Sequence, residues 1–277
     1  RKASGGWAWK DAARGNFSGG TTWLESGVWA TLNATLWQRS DTRLLVTAGA
    51  RGAHFRGDAT DVPGLGGVTG GGGANGPVSY SHTALVGAAS VRLVSGQRWM
   101  VYADMSQGFR APNVQETTVL GDTGSKFEVP NSELGPERGL ALEIGGRLQR
   151  RGLQLHVSGF INRVTDVIDE RQLSGAEVQA LGLNSADVGS SPVVQRVNRG
   201  SGLFVGAQGQ LRWRLWRHVT PFVGLGWSQG DVQSADGTST PARRVMPLGG
   251  SAGIRWQQPS RGLWLALVRR FARAQHR

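Results

Sequence analysis

The 277-residue sequence has no cysteine, only 3 methionines and only 2 tyrosines. Without cysteine there is no disulfide framework and no thiolate metal site. Its five histidines, His54, His82, His156, His218 and His276, are scattered without an H-x-x-x-H spacing, so no metal ligation is expected. No stretch of eighteen apolar residues occurs, which excludes a transmembrane helix. An initiator methionine and an apolar leader are also missing from the start at Arg1-Lys2, so a processed or internal piece of a longer chain is expected. Acidic residues number 19 against 31 basic ones, a formal charge of +12. That balance invites a nucleic-acid reading. No basic helical stripe or stacking platform accompanies it, however, and many of the arginines flank short apolar segments. No nucleic-acid partner is therefore expected.

What is abundant is glycine, with 43, and tryptophan, with 11. The dominant period is 2. From Leu24 to Leu36 the even positions are Leu24, Ser26, Val28, Ala30, Leu32, Ala34 and Leu36, against Glu25, Gly27, Trp29, Thr31, Asn33 and Thr35. The same alternation runs from Leu140 to Gln149, from Leu153 to Asn162 and from Leu203 to Arg214. Side chains alternate across a strand, so each segment has one oily and one polar face. About ten strands follow, over 22–37, 42–56, 80–94, 97–109, 137–150, 152–166, 196–215, 217–230, 244–257 and 262–272. Most meet or exceed the 9–11 residues that a tilted strand needs to cross a bilayer.

Connections alternate between short and long. Short ones fall near 39–41, 95–96, 151, 217 and 259–261; long ones cover 57–79, 110–136, 167–195 and 231–243. Short turns at one end and long loops at the other describe a transmembrane barrel with periplasmic turns and extracellular loops. Trp37, Trp99, Trp213, Trp216, Trp256 and Trp264 all lie near short turns, as an interfacial girdle requires. The expected fold is an all-β, antiparallel, up-and-down transmembrane β-barrel.

Several motifs fail their context. Gly71–Gly76 satisfies G-x-G-x-x-G but lies in a glycine-rich loop with no helix after it. Gly249–Gly253 satisfies G-x-S-x-G inside an alternating strand, where no nucleophile elbow forms. Glu116 and Asp122 share a long loop, an ordinary solvated setting. No catalysis and no cofactor are expected.

Gly108-Phe109-Arg110-Ala111-Pro112-Asn113, at the outer end of a strand, resembles the G-F-R-A-P segment of TonB-dependent outer-membrane receptors. Asn131, Leu134, Pro136 and Glu137 resemble that family's N-x-x-L-x-P-E, and Glu143 and Gly145 its E-x-G. Phe160 with Asp166 and Ile168, then Asn198-Arg199-Gly200 and Gly206-Ala207-Gln208, continue the series, with Gln208 where the family has glutamate. The ordered set spans residues 80–215, about half the chain. The resemblance implies about ten strands of a twenty-two-strand barrel, residues 1–277 being one partial barrel domain, an open sheet with unpaired edges near 22–37 and 262–272. The plug domain and the closing strands, with their terminal aromatic, are not found in it; the sequence stops at Gln275-His276-Arg277.

By the same resemblance the whole protein would take up a scarce bulky nutrient, such as a ferric siderophore or cobalamin. Its location would be the bacterial outer membrane, with lipid around it. An extracellular small molecule would be its ligand, and TonB would act through the plug. Arg110, Asn113, Gln115, Arg171 and Gln172 are the candidate ligand contacts, as polar residues in the two longest loops. A passive porin or adhesive barrel is the alternative from another class, and a soluble basic nucleic-acid-binding β-protein a third.

Overall fold

In lipid no water is present to satisfy a backbone amide, so a chain that alternates oily and polar residues must pair its strands laterally. The computed structural model describes residues 20–66, 74–183, 188–234, 237–242 and 245–274. Ten long strands follow one another there: β1 (Thr22–Arg39), β2 (Thr42–Gly66), β3 (Ala74–Ser95), β4 (Trp99–Arg110), β7 (Glu137–Arg150), β8 (Leu153–Gln172), β9 (Val193–Trp213), β10 (Val219–Gln233), β12 (Gly249–Gln258) and β13 (Leu263–Ala272). Between them lie α1 (Val114–Thr118), β5 (Gly121–Asp122), β6 (Phe127–Val129), α2 (Gly175–Ala180) and β11 (Ser239–Pro241).

The ten pair in sequence order, each antiparallel to the next, with β5, β6 and β11 attached at the side. Among the described residues β1 pairs only with β2 and β13 only with β12, so the sheet is open at both ends as expected. The turns at one end are short throughout, from Ser40–Asp41 to the 3-10 turn at Pro259–Arg261. At the other end the strands run on. β2 has 25 residues, β8 has 20 and β9 has 21, roughly twice what a bilayer crossing requires. The expected loop at 57–79 is in large part a hairpin extension, with Ala59 opposite Val78 and Val62 opposite Gly76; its tip, 67–73, with part of the G-x-G-x-x-G run, lies outside the described residues. The expected strand at 244–257 begins only at Gly249.

Buried apolar residues gather toward the loop end, on the outward parts of the strands and on the segments between them. Ala59, Val62, Val78, Tyr80 and Val114 form one cluster, and Phe127, Val129, Leu173 and Val193 another. Across the spanning part, by contrast, one face stays apolar and uncovered: Ile144 is 68% exposed and Leu267 77%. Such a face is tolerated only against hydrocarbon. The opposite face is polar and is the lumen side. There Arg51 pairs with Glu25 at 2.7 Å, and Tyr102 donates to Glu143 at 2.5 Å with the His156 ring stacked beside it.

Aromatic rings on the lumen side lie over glycines directly across the ladder. Tyr102 is opposite Gly145, Phe160 opposite Gly206, Phe222 opposite Gly253 and Phe204 opposite Gly230. A Cβ on Gly145 would meet the Tyr102 ring at 2.5 Å. The absent side chain gives the ring its place, which accounts physically for the E-x-G pattern at Glu143 and Gly145. The G-x-S-x-G run has the same explanation at Gly253, where a Cβ would meet Phe222 at 2.7 Å.

Candidate functional site

The chain leaves β4 at Arg110 and turns at Pro112, whose side chain is fully buried and whose carbonyl accepts from Tyr80 Oη at 3.2 Å. Phe109, just before it, packs edge-on to Phe55 at 5.2 Å. Asn113 then caps α1: its side chain accepts from the Glu116 N–H at 2.9 Å, and Glu116 accepts from the Asn113 N–H at 3.0 Å. This capping box starts even a five-residue helix, because it satisfies two otherwise orphaned donors.

Arg110 is the centre of the arrangement. Its guanidinium donates to both oxygens of Glu137 at 2.7 and 2.8 Å and to both oxygens of Glu116 at 2.8 and 3.0 Å. A planar fork matches carboxylates in this bidentate way. Glu137 also accepts from the Ile168 N–H at 2.9 Å, so one carboxylate ties β4, β7 and β8 together. Leu134 is fully buried nearby. Asn131 donates to the Arg196 carbonyl at 2.8 Å. Asn198 receives the Gly135 N–H at 2.7 Å and donates to the carbonyls of Gly135 and Asp166 at 2.8 and 2.9 Å. Asp166 sits in a bulge at φ 56°, which turns its carbonyl toward Asn198. Arg110, Asn131 and Glu137 therefore converge with Asn198 and Asp166 on one hydrogen-bonded junction, reached through Gly135 between Pro136 and the buried Leu134.

From this junction the loop crosses two strands. β6 lies parallel to the outer end of β9, with Phe127 opposite Val193 and Val129 opposite Gln195, beyond the point where β10 leaves that strand. Phe127 and Val129 pack there with Leu173 and Val193, and Leu120, Val178, Leu181, Leu183 and Val188 close over them. Glu128, only 5% exposed, is held by Lys126 at 3.5 Å and Arg196 at 3.2 Å; both cations also reach Glu170. A buried carboxylate needs such partners. The loop 111–136 and residues 173–183 and 188–192 thus form one folded body with its own core. The contact of Pro112 with Tyr80, whose ring stands on the lumen side beside Trp23, places the crossing on that side.

Of the five candidate contacts, three are engaged within this body. Arg110 holds Glu116 and Glu137, Asn113 caps α1, and Arg171 donates to Glu177 at 2.6 Å. Gln115 and Gln172 are exposed. Glu177 closes a second capping box with Ser174 at the start of α2. The Ser174 N–H, then the Arg171 guanidinium, hold its carboxyl down at about 2. Because this value is depressed, its contribution to the loop is fully present above the ordinary 4.5 and is lost as pH falls toward about 2. NMR titration of the Glu177 side chain should therefore show a midpoint far below 4.5; an ordinary midpoint would mean that the cap is not formed.

Sequence reasoning set Glu116 aside as an ordinary solvated carboxylate and gave Asp166 and Asn198 only as part of the family resemblance, and it missed both short helices. The capping boxes Asn113-x-x-Glu116 and Ser174-x-x-Glu177 were the available signal. Part of the 167–195 loop, residues 184–187, and parts of 231–243 lie outside the described residues, as do 1–19 and 275–277. Among the described residues no group of three or more His, Asp or Glu side chains is placed to hold a metal ion.

No curated protein matches the chain significantly in sequence. Among solved structures, the hemophore receptor HasR of Serratia marcescens, in complex with its hemophore HasA and heme, aligns with a TM-score of 0.64 at 15% identity. That alignment covers 92% of this chain and 52% of HasR. The FrpB iron transporter of Neisseria meningitidis aligns at 0.63 with 15% identity over 91% of this chain and 33% of its own. The copper transporter OprC aligns at 0.60 with 16% identity, over 86% and 33%. The chain thus spans a third to about half of these structures, and at such identities the likeness establishes the fold. The sequence model for the β-barrel of TonB dependent receptor-like proteins matches residues 5–276. With the ordered motifs joined at one junction and the open antiparallel sheet beneath it, the chain belongs to the TonB-dependent receptor β-barrel family of the bacterial outer membrane.

Proposed function

We propose that this chain supplies barrel wall and capture loops to a receptor that takes up a scarce, bulky nutrient, such as a ferric siderophore or cobalamin, with energy delivered by TonB through a plug domain. The observation that carries this reading is the loop body on the lumen side, folded on a core of its own. A preorganised mouth loses little conformational entropy on capture. Within it, Gln115 and Gln172 present free polar surface, while Arg110, Asn113 and Arg171 set the shape that presents them.

A passive porin would share an inward-folded loop, so energy dependence is the discriminating measurement. A strain lacking the full-length gene should lose growth on one scarce iron or cobalamin source supplied alone. A strain lacking TonB should lose the same growth. Uptake that survives loss of TonB would favour the porin, and unchanged growth on every such source would remove the uptake reading altogether.

A further inference from the structure

Charge is divided unequally between the two ends of the sheet. At the loop end acidic side chains are interleaved with basic ones, and several pair: Arg56 with Asp58, Arg110 with Glu116 and Glu137, Lys126 and Arg196 with Glu128 and Glu170, Arg171 with Glu177. The turn end is different. Each of the five short turns carries an exposed arginine, namely Arg39, Arg98, Arg151, Arg217 and Arg261. Asp41 is the one acidic residue in these turns. None of the five arginines forms an ion pair among the described residues.

Depth fixes what such a ring can meet. Exposed Trp37, Trp213, Trp216 and Trp256 lie at the same level, within a few residues of the arginines. Indole rings settle where acyl chains give way to headgroups. An arginine just beyond them is therefore at the height of lipid phosphates, and a guanidinium binds phosphate through paired donors. Five cations at one end of the sheet, without an ion pair among the described residues, hold their counter-charge best where the surface itself is anionic.

We propose that the periplasmic rim of this barrel section binds anionic phospholipid of the inner leaflet, with the turn arginines on the phosphates and the neighbouring tryptophans at the acyl boundary. The partner follows from charge complementarity and from depth. A soluble polyanion would explain the arginines but would leave the tryptophan level without a role.

The test uses the full-length receptor, reconstituted in vesicles of equimolar phosphatidylglycerol and phosphatidylethanolamine, with retained lipid read by native mass spectrometry. Wild type should retain phosphatidylglycerol over phosphatidylethanolamine by on the order of tenfold at low salt. The preference should fade as the screening length falls from about 30 Å at 0.01 M to about 3 Å at 1 M. Combining Arg98→Gln, Arg217→Gln and Arg261→Gln should abolish it, whereas the three lysine replacements should keep most of it. Arg151 is left in place because its φ of 44° belongs to the turn itself. Arg199→Gln at the loop end should change nothing. Equal retention of the two lipids by wild type overturns the proposal, and that measurement stands even if the triple variant fails to fold. A preference that survives the glutamine triple also overturns it. So does one that inorganic phosphate removes at matched ionic strength, which would mark a free-phosphate site. Binding to peptidoglycan sacculi that is lost in the glutamine triple, with lipid retention unchanged, would assign the ring to the wall instead.

Discussion

Ile144→Arg is expected to destabilise the full-length barrel by about 2–4 kcal/mol, the cost of an arginine at the bilayer midplane. Ile144 stands on the apolar face of β7, six residues from the end of that strand at Arg150, and is 68% exposed to what must be hydrocarbon. Gln208→Arg, on the lumen side of β9 and nearly level with it, should change stability by less than about 1 kcal/mol, because water reaches that face. The two positions lie one register step apart, Gly145 facing Ser158 and Ser158 facing Gln208. Reversible unfolding in lipid vesicles would separate them. Equal penalties, or a larger one at Gln208, would mean that the two faces have been assigned the wrong way round.

Glu137→Ala is expected to release the loop body and leave the barrel standing. The substitution removes both bonds from Arg110 and the acceptor of the Ile168 N–H. Hydrogen bonds to a charged partner contribute about 1.5–3 kcal/mol each. The Arg110 side chain is 45% exposed, so solvent screens part of that, and Glu116 still holds it. A net loss of about 2–3 kcal/mol is therefore expected, or on the order of a hundredfold more frequent opening of residues 111–136. Hydrogen exchange on the full-length protein reads this directly. Exchange should rise in the loop and stay unchanged in β7 at 140–148, and Glu137→Gln should recover part of the protection. Equal loosening of β7 would show that Glu137 supports the wall and not the loop.

The strands could be read from the sequence because lipid imposes their pattern. A face in hydrocarbon must be oily at every second residue, and β1, β7, β8 and β9 carry that alternation plainly. The outward extensions of β2, β3 and β8 were not legible, since the constraint ends where the bilayer does. Beyond it Ala59, Val62 and Val78 pack a small local core with a pattern of its own.

The candidate site was legible as a set of motifs and not as a geometry. Arg110 resembles a loop cation awaiting a ligand until its two carboxylates are placed, and Glu137 lies 27 residues away. The bond from Asn198 to Gly135 spans 63 residues, and that from Arg196 to Glu128 spans 68. Nothing in local spacing announces contacts at that distance. The aromatic–glycine pairs were hidden for a related reason: Tyr102 and Gly145 become opposite only once the register of β4 with β7 is known.

The parallel strip between β6 and β9 also bears on how such receptors diversify. Each of the two long loops contributes half of a common interior, Phe127 and Val129 from one and Leu173 and Val193 from the other. A graft that imported either loop from a relative would bring an unmatched half, and a change of length between Phe127 and Asn131 would slide the pairing against Val193 out of line with the bond from Asn131 to Arg196. The two loops are thus a single heritable module, to be exchanged together. Tolerance of insertion should concentrate at its tip, around Thr123–Ser125, where the turn is exposed to solvent and the interior is left intact.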